Sequence, residues 1–477
     1  MLTALGGLAV VPALGACSRE DETGYTVARW RKERGERFFV AHRGSGDVFP
    51  EHSIEAYEGA LAWGARALEI SVVQTSDGVL ICQHDLTFDR TTNLKGKVAS
   101  QPSSVLLDGR IVVPRLGPRW QGDRAPRIPR LDEVLRRIGR RCVMFIEPKD
   151  DSAFPGIIRM VKERDLQSSV MMKLHYRTQR IPEAHAAGMG VFCYIGDPSE
   201  LTADRVADVA GRLDPTKDVL VVPAYGDDGV ISEAQLAIAR SGNVPLWVFP
   251  VHRRWEAAYF HARGVEGIIT SSYGYVSQSV QPVRAAEWDA GALAGGEMTR
   301  FPEVDSYGLG WPEPGVIQLA SQGRQAFLTL GQLAPLERTP GPYTISFEIR
   351  VDEPPKDDKS NFTLCFAHSD DSYYEHQQGT QNGYHAIVRM NGTLELRVHE
   401  TGSQNGEEIA KASSGPPLVP GAWIPLKLEV DTERITWGRG DVGLSTSGVH
   451  TKYRGDYIHI GRSADQGKIS VRALKVT

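Results

Sequence analysis

Cysteine is scarce. The five in 477 residues (Cys17, Cys82, Cys142, Cys193 and Cys365) are too few to staple a disulfide scaffold. The last four sit in apolar, strand-like runs such as GVLICQHD and CVMFIEP, so buried free thiols are favoured over a disulfide or a metal cluster. Charge of one sign is lacking too: 54 Lys+Arg against 59 Asp+Glu leaves −5, with no basic field to mark a nucleic-acid partner. The apolar run LTALGGLAVVPALGAC is too short to span a bilayer comfortably. The 49 Gly and 28 Pro follow no short period, which excludes collagen. What remains is ample apolar material, 41% of residues. The chain exceeds the roughly 250–300 residues that one core serves, so two domains are expected.

That first apolar run has the length of an export signal's core, and its end, Leu14-Gly15-Ala16-Cys17, resembles a bacterial lipobox. The expectation is an exported cell-envelope lipoprotein, lipidated on Cys17 and anchored to a membrane without crossing it. An ordinary secreted signal is the alternative. Because no basic residue precedes the run, translation is expected to start upstream.

From Phe38 onward, short apolar runs alternate with segments of helical period. Strands are expected at 38–42, 67–73, 142–148, 170–174, 190–196, 218–224, 244–251 and 267–270. Helices are expected between them, one opening on Ser53 and several ending in Gly. Eight strands in this order suggest an α/β TIM barrel over 36–280, with an export segment and linker before it at 1–35. A doubly wound open sheet is the alternative.

A barrel places chemistry at the C-terminal ends of its strands. Polar residues collect there: His42-Arg43-Gly44, Glu69 and Ser71, Glu147 and Lys149, Lys173 and His175. Any one alone reads as a salt bridge or a satisfied core group. Together they suit phosphate chemistry, in which cations balance the anion, carboxylates hold a divalent metal and imidazoles move protons.

The stretch from AHRGSGDVFPEHSIEAY to ICQHDLTFDRTTNLKGKV resembles the opening of the glycerophosphodiester phosphodiesterase family. IPRLDEVL, FIEPK, WVFPV and GVEGIIT follow in the family's order. The resemblance implies a TIM barrel with an insertion at roughly 86–128. It also implies that His42 and His84 are the catalytic acid and base, and that Arg43 and Lys149 contact phosphate. Glu69 and Glu147 would bind a divalent metal, Ca²⁺ or Mg²⁺, with Trp247 on the substrate-binding strand. One departure stands out: where the family reads Glu-x-Asp, this chain has Glu69-Ile70-Ser71. Ser271 also follows GIIT where the family commonly has Asp. Glu51 is one candidate replacement carboxylate, and a water bridging from Ser71 is a second. The third is a weak metal site or none, as in the related bacterial phosphatidylinositol phospholipases. Lys173 then either takes part of the metal's electrostatic role or forms a salt bridge with Glu69 or Glu147.

After a linker at 281–300, short alternating strands separated by turns fill 301–477, the pattern of an all-β jelly-roll sandwich. PYTISFEIRV, PGAWIPLKLEV and IHIGRSADQGKISVRALKV resemble concanavalin-A-like or laminin-G-like domains. Tyr373, Tyr374, Trp423 and Trp437 are candidate glycan contacts, against a packing role for each. Asp370, Asp371 and Asn382 are candidate Ca²⁺ ligands, against a solvated turn. A structural brace against the barrel is an equal reading of the whole module.

The expected activity is hydrolysis of glycerophosphodiesters, or of a glycerol-phosphate envelope polymer, to glycerol 3-phosphate and an alcohol. Phospholipid-derived substrates and an envelope glycan are the expected partners, with no nucleic acid. A phospholipase of the phosphatidylinositol or sphingomyelinase D type is one alternative. A non-catalytic glycan-binding lipoprotein is the other.

Overall fold

The computed structural model describes residues 24–226, 229–278, 287–292, 309–320, 326–332, 342–355, 357, 360–372, 382–401, 406–449, 452–463 and 467–477. Cys17, Tyr373 and Tyr374 lie outside them.

Eight parallel strands form the first sheet: β1 (Phe38–Ala41), β2 (Ala67–Gln74), β3 (Val143–Pro148), β4 (Val170–His175), β5 (Gly190–Tyr194), β6 (Val219–Pro223), β7 (Leu246–Val251) and β8 (Gly267–Thr270). Their order, β1-β8-β7-β6-β5-β4-β3-β2, closes on itself through Ala41 opposite Leu68, so the sheet is a barrel and not an open doubly wound sheet. A short strand, Leu80–Cys82, runs antiparallel to β2 and leads into the insertion. The helix Ile54–Ala62 opens as expected on Ser53, whose side chain accepts from the Ala56 N–H.

Alternation sorts each strand's residues between the barrel lumen and the helices outside. The lower lumen is a mesh of rings. Phe38, Phe145 and Phe192 pack edge-on around Trp247 at centroid separations of 5.0, 5.3 and 5.8 Å. Trp30, on the helix Val27–Glu33, joins the mesh 5.0 Å from Phe38. Ala67 of β2 and Met171 of β4 belong to the same layer, and one alternation further up these two strands bring Glu69 and Lys173 into the lumen.

The second domain is a sandwich of antiparallel strands: β9 (Leu309–Gly310), β10 (Ile317–Ala320), β11 (Ala326–Gln332), β12 (Tyr343–Glu353), β13 (Asn361–His368), β14 (Gly383–Arg389), β15 (Leu394–His399), β16 (Glu407–Ala412), β17 (Trp423–Val430), β18 (Arg434–Arg439), β19 (Leu444–Val449), β20 (Tyr457–Ser463) and β21 (Lys468–Val476). One sheet runs β9-β10-β21-β12-β17-β18-β19 and the other β11-β20-β13-β14-β15-β16. Ile345, Phe347, Ile349 and Val351 of the first face Phe362, Leu364 and Phe366 of the second. β16 escapes sequence reading because its EEIAKA segment buries none of its side chains fully.

Two candidate ligand residues of the sandwich prove to be structural. Trp437 is buried in this core and donates its indole N–H to the Ile387 carbonyl at 2.9 Å, so it offers no face to a glycan. Asp371 is no Ca²⁺ ligand. It is buried and accepts from the backbone N–H groups of Arg254 and Trp255 at 2.7 and 2.9 Å and from the Tyr275 hydroxyl at 2.9 Å, tying the sandwich to the barrel. A second tie runs from the Trp311 indole to the Arg115 carbonyl at 3.1 Å. Asp370 caps a turn through the Ser372 N–H, and Asn382 accepts from Ser369. Trp423 stays on the surface between the Arg350 and Arg472 guanidinium groups, 4.5 and 3.9 Å from its ring.

Candidate active site

The chain leaves β1 through His42, Arg43 and Gly44, with Arg43 at φ 53° and Gly44 at φ 74°. A Cβ at Gly44 would meet Ala56 at 2.8 Å, so the positive φ and the close packing both require glycine here. The turn points the Arg43 N–H at Glu69 Oε2, 3.0 Å away, and seats the His42 ring beside Ser271, with Nδ1 2.7 Å from its hydroxyl. Ser271 is thus a positioning partner of His42.

His84 follows the short strand after β2. Its Nδ1 lies 2.7 Å from Asp85, and its Nε2 lies 3.3 Å from the Lys149 ammonium. Burial with nearby Arg43 pushes both imidazoles down, His42 well below its ordinary 6.5 and His84 to about 4, with Lys149 adding to the effect on His84. A cleft of about 650 Å³ is lined by His42, Arg43, Glu51, His84, Arg90 and Ser271. A second, of about 640 Å³ and lined by Lys149, His175 and Tyr194, adjoins it across Lys149.

Below the histidines lies a charged layer. The Lys173 ammonium sits 2.7 Å from Glu69 Oε1 and 2.8 Å from Glu147 Oε2, and the Ser71 hydroxyl bridges the same two oxygens at 3.3 and 3.2 Å. Glu147 Oε1 accepts from Lys149 at 3.0 Å and from the Tyr194 hydroxyl at 2.7 Å. Burial opposes charge on Glu147, but Lys173 and Lys149 outweigh it and hold the carboxyl at about 2. Lys173 moves the other way: burial opposes its charge, and Glu147 and Glu69 raise it.

The expected Ca²⁺ or Mg²⁺ can be tested against these donors. A hard dication wants six or more oxygens with net negative charge. Among the described residues two carboxylates, Glu69 and Glu147, face the position, a number that waters can complete, so what decides is whether their oxygens are free. All four of their oxygens already accept from Lys173, Lys149, Arg43, Tyr194 or Ser71. An ammonium lies between them. The residues present do not fit a divalent ion.

Glu51 does not restore the missing carboxylate. It is clamped by Arg43 at 3.2 Å and by both terminal nitrogens of Arg90 at 3.1 and 2.7 Å, and this pairing holds it ionised although burial opposes its charge. Trp247 is corrected as well: fully buried in the ring mesh of the lower lumen, it has no surface for substrate. Of the other expected residues, His42, Arg43, Glu69, Ser71, His84, Glu147, Lys149 and Lys173 converge on this end of the barrel. Sequence reading passed over Tyr194, Asp85 and Arg90. Strand alternation was the available signal for Tyr194, since it lies two residues beyond lumen-facing Phe192 and in register with His175. For Asp85 and Arg90 the signal was their place in the quoted HDLTFDRTT segment.

The sequence model of the Glycerophosphoryl diester phosphodiesterase family matches residues 42–156. A glycerophosphodiester phosphodiesterase of Caldanaerobacter subterraneus subsp. tengcongensis is 30% identical over 245 residues, 48% of this chain and 92% of that one. One from Bacillus subtilis is 35% identical over 125 residues, where the match spans 25% of this chain and 42% of that relative. A solved glycerophosphodiester phosphodiesterase from Thermotoga maritima superposes with a TM-score of 0.41 at 20% identity, over 51% of this chain and 97% of that one.

Proposed function

The chain belongs to the glycerophosphoryl diester phosphodiesterase family, and on that premise we propose that it hydrolyses glycerophosphodiesters to glycerol 3-phosphate and an alcohol, with Lys173 standing where a divalent ion would otherwise act. One observation carries this reading: two imidazoles and the Arg43 guanidinium line one cleft, the Lys149 ammonium meets His84 from the adjoining cleft, and an ammonium is held between Glu69 and Glu147.

The cleft supplies what phosphodiester cleavage needs. One imidazole takes the proton from the glycerol hydroxyl next to the phosphate as its oxygen bonds to phosphorus. The other protonates the departing alkoxide as the P–O bond breaks. Water then opens the cyclic phosphate by the same transfers in reverse. Asp85 on His84 and Ser271 on His42 fix which nitrogen of each ring faces the reaction. Arg43 and Lys149 spread charge from the non-bridging oxygens. Lys173 holds Glu69 and Glu147 in place, so that their negative charge does not face the phosphate unbalanced.

Deacylated phospholipids and polyglycerol-phosphate polymers both carry the required neighbouring hydroxyl. An export signal ending at Cys17 would bring the enzyme to such substrates, and the sandwich would brace the barrel through Asp371. Lys173 also favours the second reading, a metal-independent phospholipase of the phosphatidylinositol type. Products separate the two. The test is release of glycerol 3-phosphate from glycerophosphocholine and glycerophosphoglycerol, with Ca²⁺, with Mg²⁺ and with EDTA, beside His42→Ala. Release that survives EDTA and vanishes in the variant is expected. Inositol phosphate formed from phosphatidylinositol, with no glycerol 3-phosphate from either diester, would transfer the assignment to the phospholipase.

A further inference from the structure

The six-stranded sheet of the sandwich turns one face to the shared core and holds something else on the other. β13 sends Phe362, Leu364 and Phe366 into the core, and β14 sends Tyr384, Ala386 and Val388 there. By alternation, Cys365 and His385 point to the opposite face, where β15 adds His399 and β20 adds His459. Cys365 stands directly opposite His385 on one side and His459 on the other. None of these side chains reaches solvent: Cys365, His368, His385, His399 and His459 are all at most 2% exposed.

His368 belongs to this group only because the strand is broken to bring it there. In a regular strand, residues three apart face opposite ways. The pairing of β13 with β20 shifts register between Cys365 and His368, and Ala367 between them takes φ 56°. A non-glycine residue in that region costs about 1 kcal/mol or more. Bulges of this kind re-aim side chains. Here the result is that sulfur and nitrogen atoms of Cys365, His368 and His385 all lie within 4.8 Å of one another. Gly383 makes room for the ring, since a Cβ there would meet it at 2.3 Å.

The arrangement is costly unless something occupies it. Both ring nitrogens of His368 are buried without a hydrogen-bond partner among the described residues. An unsatisfied buried polar group costs about 1–3 kcal/mol. The ring centroids of His385 and His399 stand 3.7 Å apart, and that of His459 is 5.4 Å from that of His368.

We propose that Cys365, His368 and His385 form a binding site for a transition-metal dication of the Zn²⁺ class, seated on the back of the sandwich sheet and separate from the phosphodiesterase cleft. The ligand chemistry selects the class: one thiol with two or more imidazoles favours Zn²⁺ and its neighbours over Ca²⁺ or Mg²⁺. Zn–S and Zn–N bonds of about 2.3 and 2.0 Å in a tetrahedron put neighbouring ligand atoms about 3.3–3.8 Å apart, so side-chain rotations of about 1 Å close the site. His399, beside His385, and His459, beside His368, are the candidates for the fourth position. On binding, Cys365 gives its proton to solvent and His368 gains the partner it lacks.

The full-length protein, stripped of metal, is titrated with Co²⁺ and separately with Zn²⁺. The expected result is one Co²⁺ per chain with a thiolate-to-cobalt charge-transfer band, and a Zn²⁺ affinity that displaces it. Cys365→Ser abolishes the band. It weakens Zn²⁺ binding by more than the roughly 10–100-fold typical of changes around the ligands, while glycerol 3-phosphate release is unchanged. His368→Gln weakens binding likewise. Wild-type protein that takes up no Co²⁺ with a thiolate band overturns the proposal. So does uptake that neither substitution changes, because the metal then lies elsewhere. If Cys365→Ser does not fold, the wild-type titration and His368→Gln still decide.

Discussion

The barrel and the sandwich each bury a polar cluster beside an apolar core, and they solve the problem in opposite ways. In the barrel the groups are matched in charge: Glu69 and Glu147 face Lys173, Lys149 and Arg43, and Glu147, Lys149 and Arg43 reach the two adjoining clefts. In the sandwich, Cys365 and four histidines are sealed from solvent, and His368 lacks a hydrogen-bond partner among the described residues. A buried ion pair repays desolvation only when its geometry is satisfied on every side, and Glu69–Lys173–Glu147 meets that condition. Imidazoles are cheaper to bury than charges, and His368, with neither ring nitrogen partnered among the described residues, suits a ligand arriving from outside. The barrel therefore carries its cation within its own sequence, while the sandwich has room for one to be supplied.

The sharpest way to break this contrast is to remove the barrel's proton carriers. His42→Ala or His84→Ala should lower kcat/KM by about 10²–10⁴-fold, with the thermal transition retained. Residual activity near wild type in both variants would mean that other groups move the protons. Next comes the resident cation. Lys173→Met leaves two buried carboxylates facing each other, and removing one partner of a buried pair costs about 3–5 kcal/mol, read as a shift in the denaturant midpoint. The paired change Ser71→Asp with Lys173→Ser should restore stability in the presence of Ca²⁺ and make activity sensitive to EDTA. If wild-type activity already needs added Ca²⁺, Lys173 is not the acting cation.

These particular residues also show how far sequence reaches. The barrel, its strand order and most of the site were legible, because lumen-facing positions are fixed by a two-residue period and the charged ones stand out against apolar strands. The Ser71 departure and the presence of Lys173 were visible as well. A salt bridge from Lys173 to Glu69 or Glu147 was one of its two expected roles; that the ammonium reaches both carboxylates at once follows from β2, β3 and β4 lying side by side. Trp247 was misplaced for a related reason: alternation puts it in the lumen without saying at which height. Glu51 looked available because the Arg90 clamp comes from 39 residues away. His368 was hidden by the bulge at Ala367, which breaks the period on which such readings depend.

A smaller effect tests the joint between the two domains. Asp371 takes three hydrogen bonds from the barrel's Arg254, Trp255 and Tyr275. Asp371→Asn presents an amide that satisfies fewer of these donors, and each left unpaired costs about 1–3 kcal/mol. Calorimetry should then resolve separate barrel and sandwich transitions, with glycerol 3-phosphate release unchanged at temperatures below both. A single unshifted transition would show that the domains do not depend on this contact.

The smallest expected effect concerns Asp85. Burial, Arg43 and Lys149 press His84 down to about 4, and Asp85 works against them by favouring the imidazolium. In Asp85→Asn the protonated ring loses that support and releases its proton more readily, so the limb of kcat/KM that reports on His84 moves to lower pH. A one-unit displacement corresponds to about 1.4 kcal/mol. Arg90 stays anchored by Glu51, so the surrounding loop keeps its other tie. If Asp85 served only to hold Arg90, activity would fall at every pH with the limb in place. A limb that moves assigns Asp85 to the proton-transfer pair, and one that stays fixed leaves His84 to be tuned by Lys149 and Arg43 alone.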